Sequence, residues 1–156
     1  MVTGPSLQQQ LDQKIEEIRQ TVSGISDETA SRRPAEGEWC VKEVLSHLSG
    51  GEGDFGILER VVQEDTPLAD FEIGVSHYEG RENMSVAELT SKVESTYGEM
   101  ATLLSGLSEE QLSRKAQAPQ LKETPLGEYP TLGQLAAAVI NVHLNDHVNH
   151  LRNLCQ

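Results

Sequence analysis

Long apolar runs are missing from this chain of 156 residues, and nothing in it approaches the ~20 consecutive apolar residues that a membrane helix needs. The opening MVTGPSLQQQ has neither the basic nor the apolar region of a secretion signal. Both absences set the expectation of a cytoplasmic protein that makes no membrane contact. Cysteine is almost as scarce: Cys40 and Cys155 are too few and too far apart for a disulfide framework or a cysteine zinc ribbon, so free thiols are expected. Positive charge is also short, with 12 Lys and Arg against 25 Asp and Glu, a net charge of -13, and no basic run beyond Arg32-Arg33. Such a field repels phosphate backbones and anionic lipid, which argues against nucleic-acid partners. A small-molecule substrate stays open, because salt screens surface charge beyond about 10 Å. No alternating run is long enough to seed a sheet, and there is no internal repeat or low-complexity tract. A Ser-His-Asp order, a phosphate-cradling glycine loop and a dinucleotide fingerprint are likewise absent.

What is present is helical periodicity over a length that suits one domain, residues 1–156. Leu7, Leu11, Ile15, Ile18 and Val22 recur at steps of three or four, with Pro5 just before them and Gly24 as a stop, which predicts helix one. One short turn around Asp27 to Ser31 fits the stretch that follows. Val41, Val44, Leu45, Leu48, Phe55, Leu58 and Val62 predict helix two. The cluster Gly50, Gly51, Gly53 and Gly56 weakens it, since each interior glycine costs about 1 kcal/mol relative to alanine. Either the helix is kinked or interrupted, with Asp54 recapping it, or the glycines permit close backbone approach to a neighbour or ligand. From Glu64 to Asn83 no helical stripe survives, and the length suits a crossover between parallel consecutive helices. Ser85 with Glu88 forms a capping box ahead of Val86, Leu89, Val93, Tyr97, Met100, Leu104 and Leu107, the stripe of helix three. Ser108 with Gln111 opens a short helix to about Arg114, residues 115–130 read as loop, and Thr131 with Gln134 caps helix four. That last helix places Leu132, Leu135, Ala136, Val139, Ile140, His143, His147, Leu151 and Leu154 on one face. The class is all-α.

The chemistry concentrates on that last stripe. His143 and His147 stand at i and i+4, so their rings project from one face within about 6 Å and can share one ion. A buried imidazole without a partner loses about 1 to 3 kcal/mol of hydrogen bonding, and a metal satisfies both rings. From the pair alone, core histidines bonded to backbone or to other polar side chains fit equally well. The Glu that follows the first histidine of zinc proteases is absent from His-Leu-Asn-Asp-His, which disfavours that mechanism. His47, beside Val44 and Leu48 on another helix, is the best third ligand, although a lone histidine there also reads as structural. His150 is either a further ligand, an outer donor or solvated, and His77 is given no role. Glu43, one turn before His47, either orients its ring or is solvated.

The segment Gly37-Glu38-Trp39-Cys40-Val41-Lys42-Glu43-Val44-Leu45-Ser46-His47-Leu48, with His143 and His147 about a hundred residues later, resembles the DinB/YfiT-like metalloenzyme superfamily. The resemblance implies an up-down-down-up four-helix bundle with a long crossover between helices two and three. It further implies a homodimer holding zinc or nickel with His47, His143 and His147. Superfamily members with known activities are thiol-dependent transferases or isomerases using bacillithiol, mycothiol or glutathione. Two positions depart from the pattern: Cys40 stands where a small hydroxyl residue is usual, and the glycine cluster follows His47 where a helix usually continues.

Three histidines without a fourth protein ligand leave an open position, as catalytic sites do. The expectation is therefore a metal-dependent enzyme that activates a thiol for attack on a small electrophile. A metal-dependent hydrolase is the enzymatic alternative, and a non-catalytic metal-binding or stress-response protein is the alternative from another class. If helices two and four are antiparallel, Cys40 and Cys155 fall at the same end of the bundle.

Overall fold

The computed structural model describes residues 1–50, 52–63 and 80–156. Helix α1 spans Gly4–Val22. It starts ahead of its apolar stripe because Thr3 and Ser6 close a reciprocal cap, each side-chain oxygen accepting the other's backbone N–H. Pro5 sits in the first turn, where no amide partner is required. Gly24 then turns the chain at φ +80°, a left-handed step that glycine takes without steric cost. The short α2, Asp27–Ala30, occupies the turn expected around Asp27. The second long segment is α3, Val41–Ser49, followed by α4, Glu52–Val62. The glycine cluster thus does interrupt this helix, at Gly50, and α4 resumes at Glu52, before Asp54, which corrects the expectation that Asp54 recaps it. A Cβ at Gly56 would meet nothing within 4 Å, so close approach does not explain that glycine. The third long helix is α5, Val86–Ser105, behind the expected Ser85–Glu88 capping box. After α6, Glu109–Leu112, the fourth runs as α7, Leu132–Ala138, then a π-helical segment Val139–Leu144, then α8, Asn145–Leu154.

Contacts at matched heights give the directions. Gln10 pairs with Asn141 at 3.0 Å, Lys14 with Asn145 at 2.9 Å and Glu17 with Arg152 at 3.6 Å, so α1 and the last helix climb together. Gly4 lies against the Leu104 carbonyl, while Arg19 reaches Glu94 at 3.7 Å, so α5 descends alongside α1. Asp27 accepts from Val86 N at 2.8 Å and lies 3.7 Å from Lys42 Nζ, which sets the starts of α3 and α5 side by side. At the other end of the second segment, Arg114, whose carbonyl accepts from Leu132 N at the start of the last helix, donates to the carbonyls of Val61 and Val62. The bundle is therefore up-down-down-up, with consecutive helices two and three parallel, as a crossover requires. The predicted crossover itself falls largely on residues 64–79, outside the described residues, and His77 with it. Cys40 and Cys155 do share one end of the bundle, both as free thiols.

The core is the sum of the predicted stripes: Leu7, Leu11 and Ile18 of α1, Val44, Leu45 and Leu48 of α3, and Leu89, Val93, Tyr97, Met100 and Leu104 of α5 are all buried. In α4 the buried positions are Leu58 and Val61, with Val62 only partly covered. The π-helical segment changes the fourth stripe. Its wider turn admits one more residue than an α turn. Ahead of it Leu132, Leu135 and Ala136 are buried, within it Ile140 and Leu144, and beyond it Val148 and Leu151. The core register has slipped by one residue, so His143 and His147 flank the stripe and are half-buried, where periodicity alone had set them inside it.

Residues 115–130 are the expected loop, yet a tethered one. Ala116 N donates to Pro130 O at 2.9 Å and Ala118 N to Glu128 O at 2.8 Å, with both alanines buried. Among the described residues no strand forms, only an isolated antiparallel bridge between Lys115 and Thr131. None of the described helices is long and apolar enough to cross a membrane.

Candidate metal centre

His47 stands in the last turn of α3, and the start of that helix is held with care. Cys40 occupies the N-cap position with extended backbone, and its N–H donates to the Glu43 carboxylate at 2.8 Å. Arg33 donates to the other Glu43 oxygen. Glu43 is thus buried and committed to the cap, with its side chain 4% exposed, which corrects the reading of a solvated carboxylate. Burial pushes its carboxyl up, but the Cys40 hydrogen bonds and the Arg33 guanidinium outweigh that and hold it below the usual range. The charged form survives burial because it is paired.

His143 ends the π-helical segment and His147 follows one turn later in α8. Their ring centroids lie 4.8 Å apart, and that of His47 lies 5.3 Å from His143 and 4.7 Å from His147. One potential ligand atom from each ring falls within 4.8 Å of the other two. All three are half-buried, so the cluster sits at the edge of the core with access from outside. Burial, and then the neighbouring His143, His47 and His150, pull His147 down to about 3, so its ring is neutral at physiological pH and its lone pair is available. His147 Nδ1 is shielded from solvent and has no hydrogen-bond partner. A polar atom left so in a protein interior calls for a partner such as a cation or a water.

The three sequence-selected histidines are therefore brought together from two antiparallel segments, and the group could hold one divalent ion. Imidazole nitrogens bind zinc at about 2.0–2.1 Å, and this cluster is of the scale to converge on one ion. His150 is not part of it, although it is near enough to affect His147. Neither cysteine belongs to the cluster, and burial pushes both thiols up, leaving them protonated near neutral pH. Trp39 is the neighbour that periodicity did not single out: its ring centroid lies 5.4 Å from that of His47. The π-helical turn was missed too. Its trace in the sequence is that the α period through Val139 leads to His143 and His147, whereas the adjacent set Ile140, Leu144 and Val148 is wholly apolar and is the one the core takes.

Comparison with known proteins gives three findings. A family model described as the DinB superfamily matches residues 10–151. The fold is similar to that of YfiT from Bacillus subtilis, described as a probable metal-dependent hydrolase with an unusual four-helix bundle topology; the TM-score is 0.76 at 21% identity, covering 97% of this chain and 85% of that one. It is also similar to an uncharacterized protein from Clostridium difficile 630, with a TM-score of 0.66 at 13% identity, covering 98% of this chain and 95% of the other. No curated protein matches the sequence.

Proposed function

The chain belongs to the DinB superfamily, and from that premise we propose that it is a metal-dependent enzyme whose ion is held by His47, His143 and His147. The observation that carries this reading is the convergence of three half-buried imidazoles, from two separate helices, within 4.8 Å. Zinc or nickel suits an all-imidazole donor set. A divalent ion there supplies Lewis acidity, bringing the pKa of a bound water to about 7 or deprotonating a bound thiol.

Among the described residues neither cysteine joins the histidine cluster, so we take the nucleophile to come from outside. Cys40 is committed to the α3 cap, and Cys155 closes the last helix, so neither thiol serves. We read the reaction as hydrolysis of a small molecule, the activity class that YfiT is described as belonging to. The thiol-dependent transfer expected from the family resemblance is the same chemistry with a low-molecular-weight thiol in place of water. His147, held neutral, keeps its lone pair for the ion, and α3 with its Glu43 cap holds His47 in register. Homodimeric assembly and a cytoplasmic location belong to the same proposal.

The test is metal content per chain, followed by hydrolysis of ester and amide panels with and without added thiol, in wild type and His143→Ala. One ion per chain, and turnover that vanishes with it, are expected. Turnover only when thiol is present selects transfer over hydrolysis. Stoichiometric metal whose loss leaves every activity unchanged would return the protein to the class of metal-binding or stress-response proteins.

A further inference from the structure

A cavity of about 770 Å³ opens beside the histidine cluster, between α4, the loop around Leu126 and the α7/π-helical segment, and His143 is part of its wall. That volume falls in the range of small-molecule sites, roughly 300–1,000 Å³. Its wall is unlike the rest of the molecule. The chain is 24% charged, yet among the described residues no Asp, Glu, Lys or Arg lines the cavity; Leu58, Leu126, Leu135, Ala138 and Val142 supply its apolar surface. In a protein of net charge -13, a space of this size with a mostly apolar described wall, shared in part with a cluster of potential ligands, marks where the apolar part of a ligand would lie.

We propose that the substrate of this centre carries an apolar alkyl or aryl body, seated in the cavity beside His143, and a small polar head directed at the histidines. The inference rests on the metal reading above. Charged or strongly hydrated substrates are disfavoured in the cavity by desolvation, since the wall its described residues form is mostly apolar and carries no carboxylate, ammonium or guanidinium among them. Val142 is 59% exposed and lines the cavity, so it stands at the mouth, while Ala138 lies deeper and leaves the room that a larger side chain would fill.

The experiment uses two probe series, each from about two to eight carbons: alkyl hydroxamates, whose head binds metal, titrated into zinc-loaded protein, and 1-alkanols, titrated into metal-free protein. Calorimetry is expected to show affinity rising about three- to fourfold per methylene in both series, the equivalent of ~0.8 kcal/mol per buried methylene. Ala138→Phe, which fills the space, should flatten both slopes. Val142→Asp, at an exposed position that tolerates polar change, should do so through charge at the mouth and keeps the test sound if the first variant does not fold. Alkanols that bind with the expected slope while hydroxamates bind at no length would overturn the metal reading and keep the apolar site. Hydroxamates that bind with no dependence on chain length, or slopes unchanged in both variants, would overturn the inference.

Discussion

Replacing Glu43 with Gln tests whether the cap that starts α3 is what holds His47 in place. The carboxylate accepts the Cys40 N–H at 2.8 Å and receives Arg33 on its other oxygen, with its side chain 4% exposed. A hydrogen bond to a charged group is worth about 1.5–3 kcal/mol, and glutamine retains an acceptor for Cys40 but not the charge. The Arg33 side chain is 54% exposed, so solvent limits that pair to under about 1 kcal/mol. Together they give a loss of about 1–3 kcal/mol at pH 7, or roughly 3–10 °C in Tm for a domain of this size. Because the folded carboxyl is held below its usual range, its contribution is complete above the unfolded pKa of about 4.3 and is lost as pH falls through the folded value. Urea denaturation from pH 7 to pH 3 should therefore show wild type and Glu43→Gln separated at pH 7 and converging in acid. Equal stabilities at pH 7, or a gap of constant size down to pH 3, would refute the reasoning.

Metal loading should raise Tm, because an ion that binds only the folded chain adds about 4 kcal/mol at a thousandfold excess over its Kd; scanning fluorimetry with zinc should show that rise in wild type and its loss in His147→Ala. Gly4→Ala should cost about 1–3 kcal/mol in chemical denaturation, since its Cβ would overlap the Leu104 carbonyl and stand 3.1 Å from that of Leu107, both backbone atoms that cannot swing aside. Trp39→Ala removes the ring beside His47 and should weaken zinc binding by about tenfold, the lower end of the effect of outer-shell changes, with Trp39→Phe restoring most of it in a competitive chelator titration.

Most of this fold was legible because the apolar stripes of α1, α3 and α5 follow one uninterrupted period, and three of the caps are side-chain patterns read within four residues. The three histidines were legible for a related reason, since each sits beside a stripe that fixes which way it faces. What the sequence hid were departures from regularity. The slip at Val139–Leu144 depends on which of two adjacent sets the neighbouring helices accept, a tertiary decision that no local pattern records. The role of Glu43 was hidden in the same way, because its partner Arg33 lies outside the helix, in a stretch without periodicity. Trp39 precedes the helix altogether, so its approach to His47 follows from the path of the chain into α3.

The wide turn before Asn145 has a bearing on how this helix could change over time. An extra residue in a turn is the outcome of a one-residue insertion, and a single deletion between Val139 and Leu144 would undo it. Everything beyond would keep its orientation, with Val148 still in the core; only a turn that tightened without losing a residue would rotate that part by about 100°, carrying His147 into the core stripe. A chain that lost the extra residue would therefore keep the seating of its C-terminal helix, and the change would fall on the wide turn itself, where His143 stands.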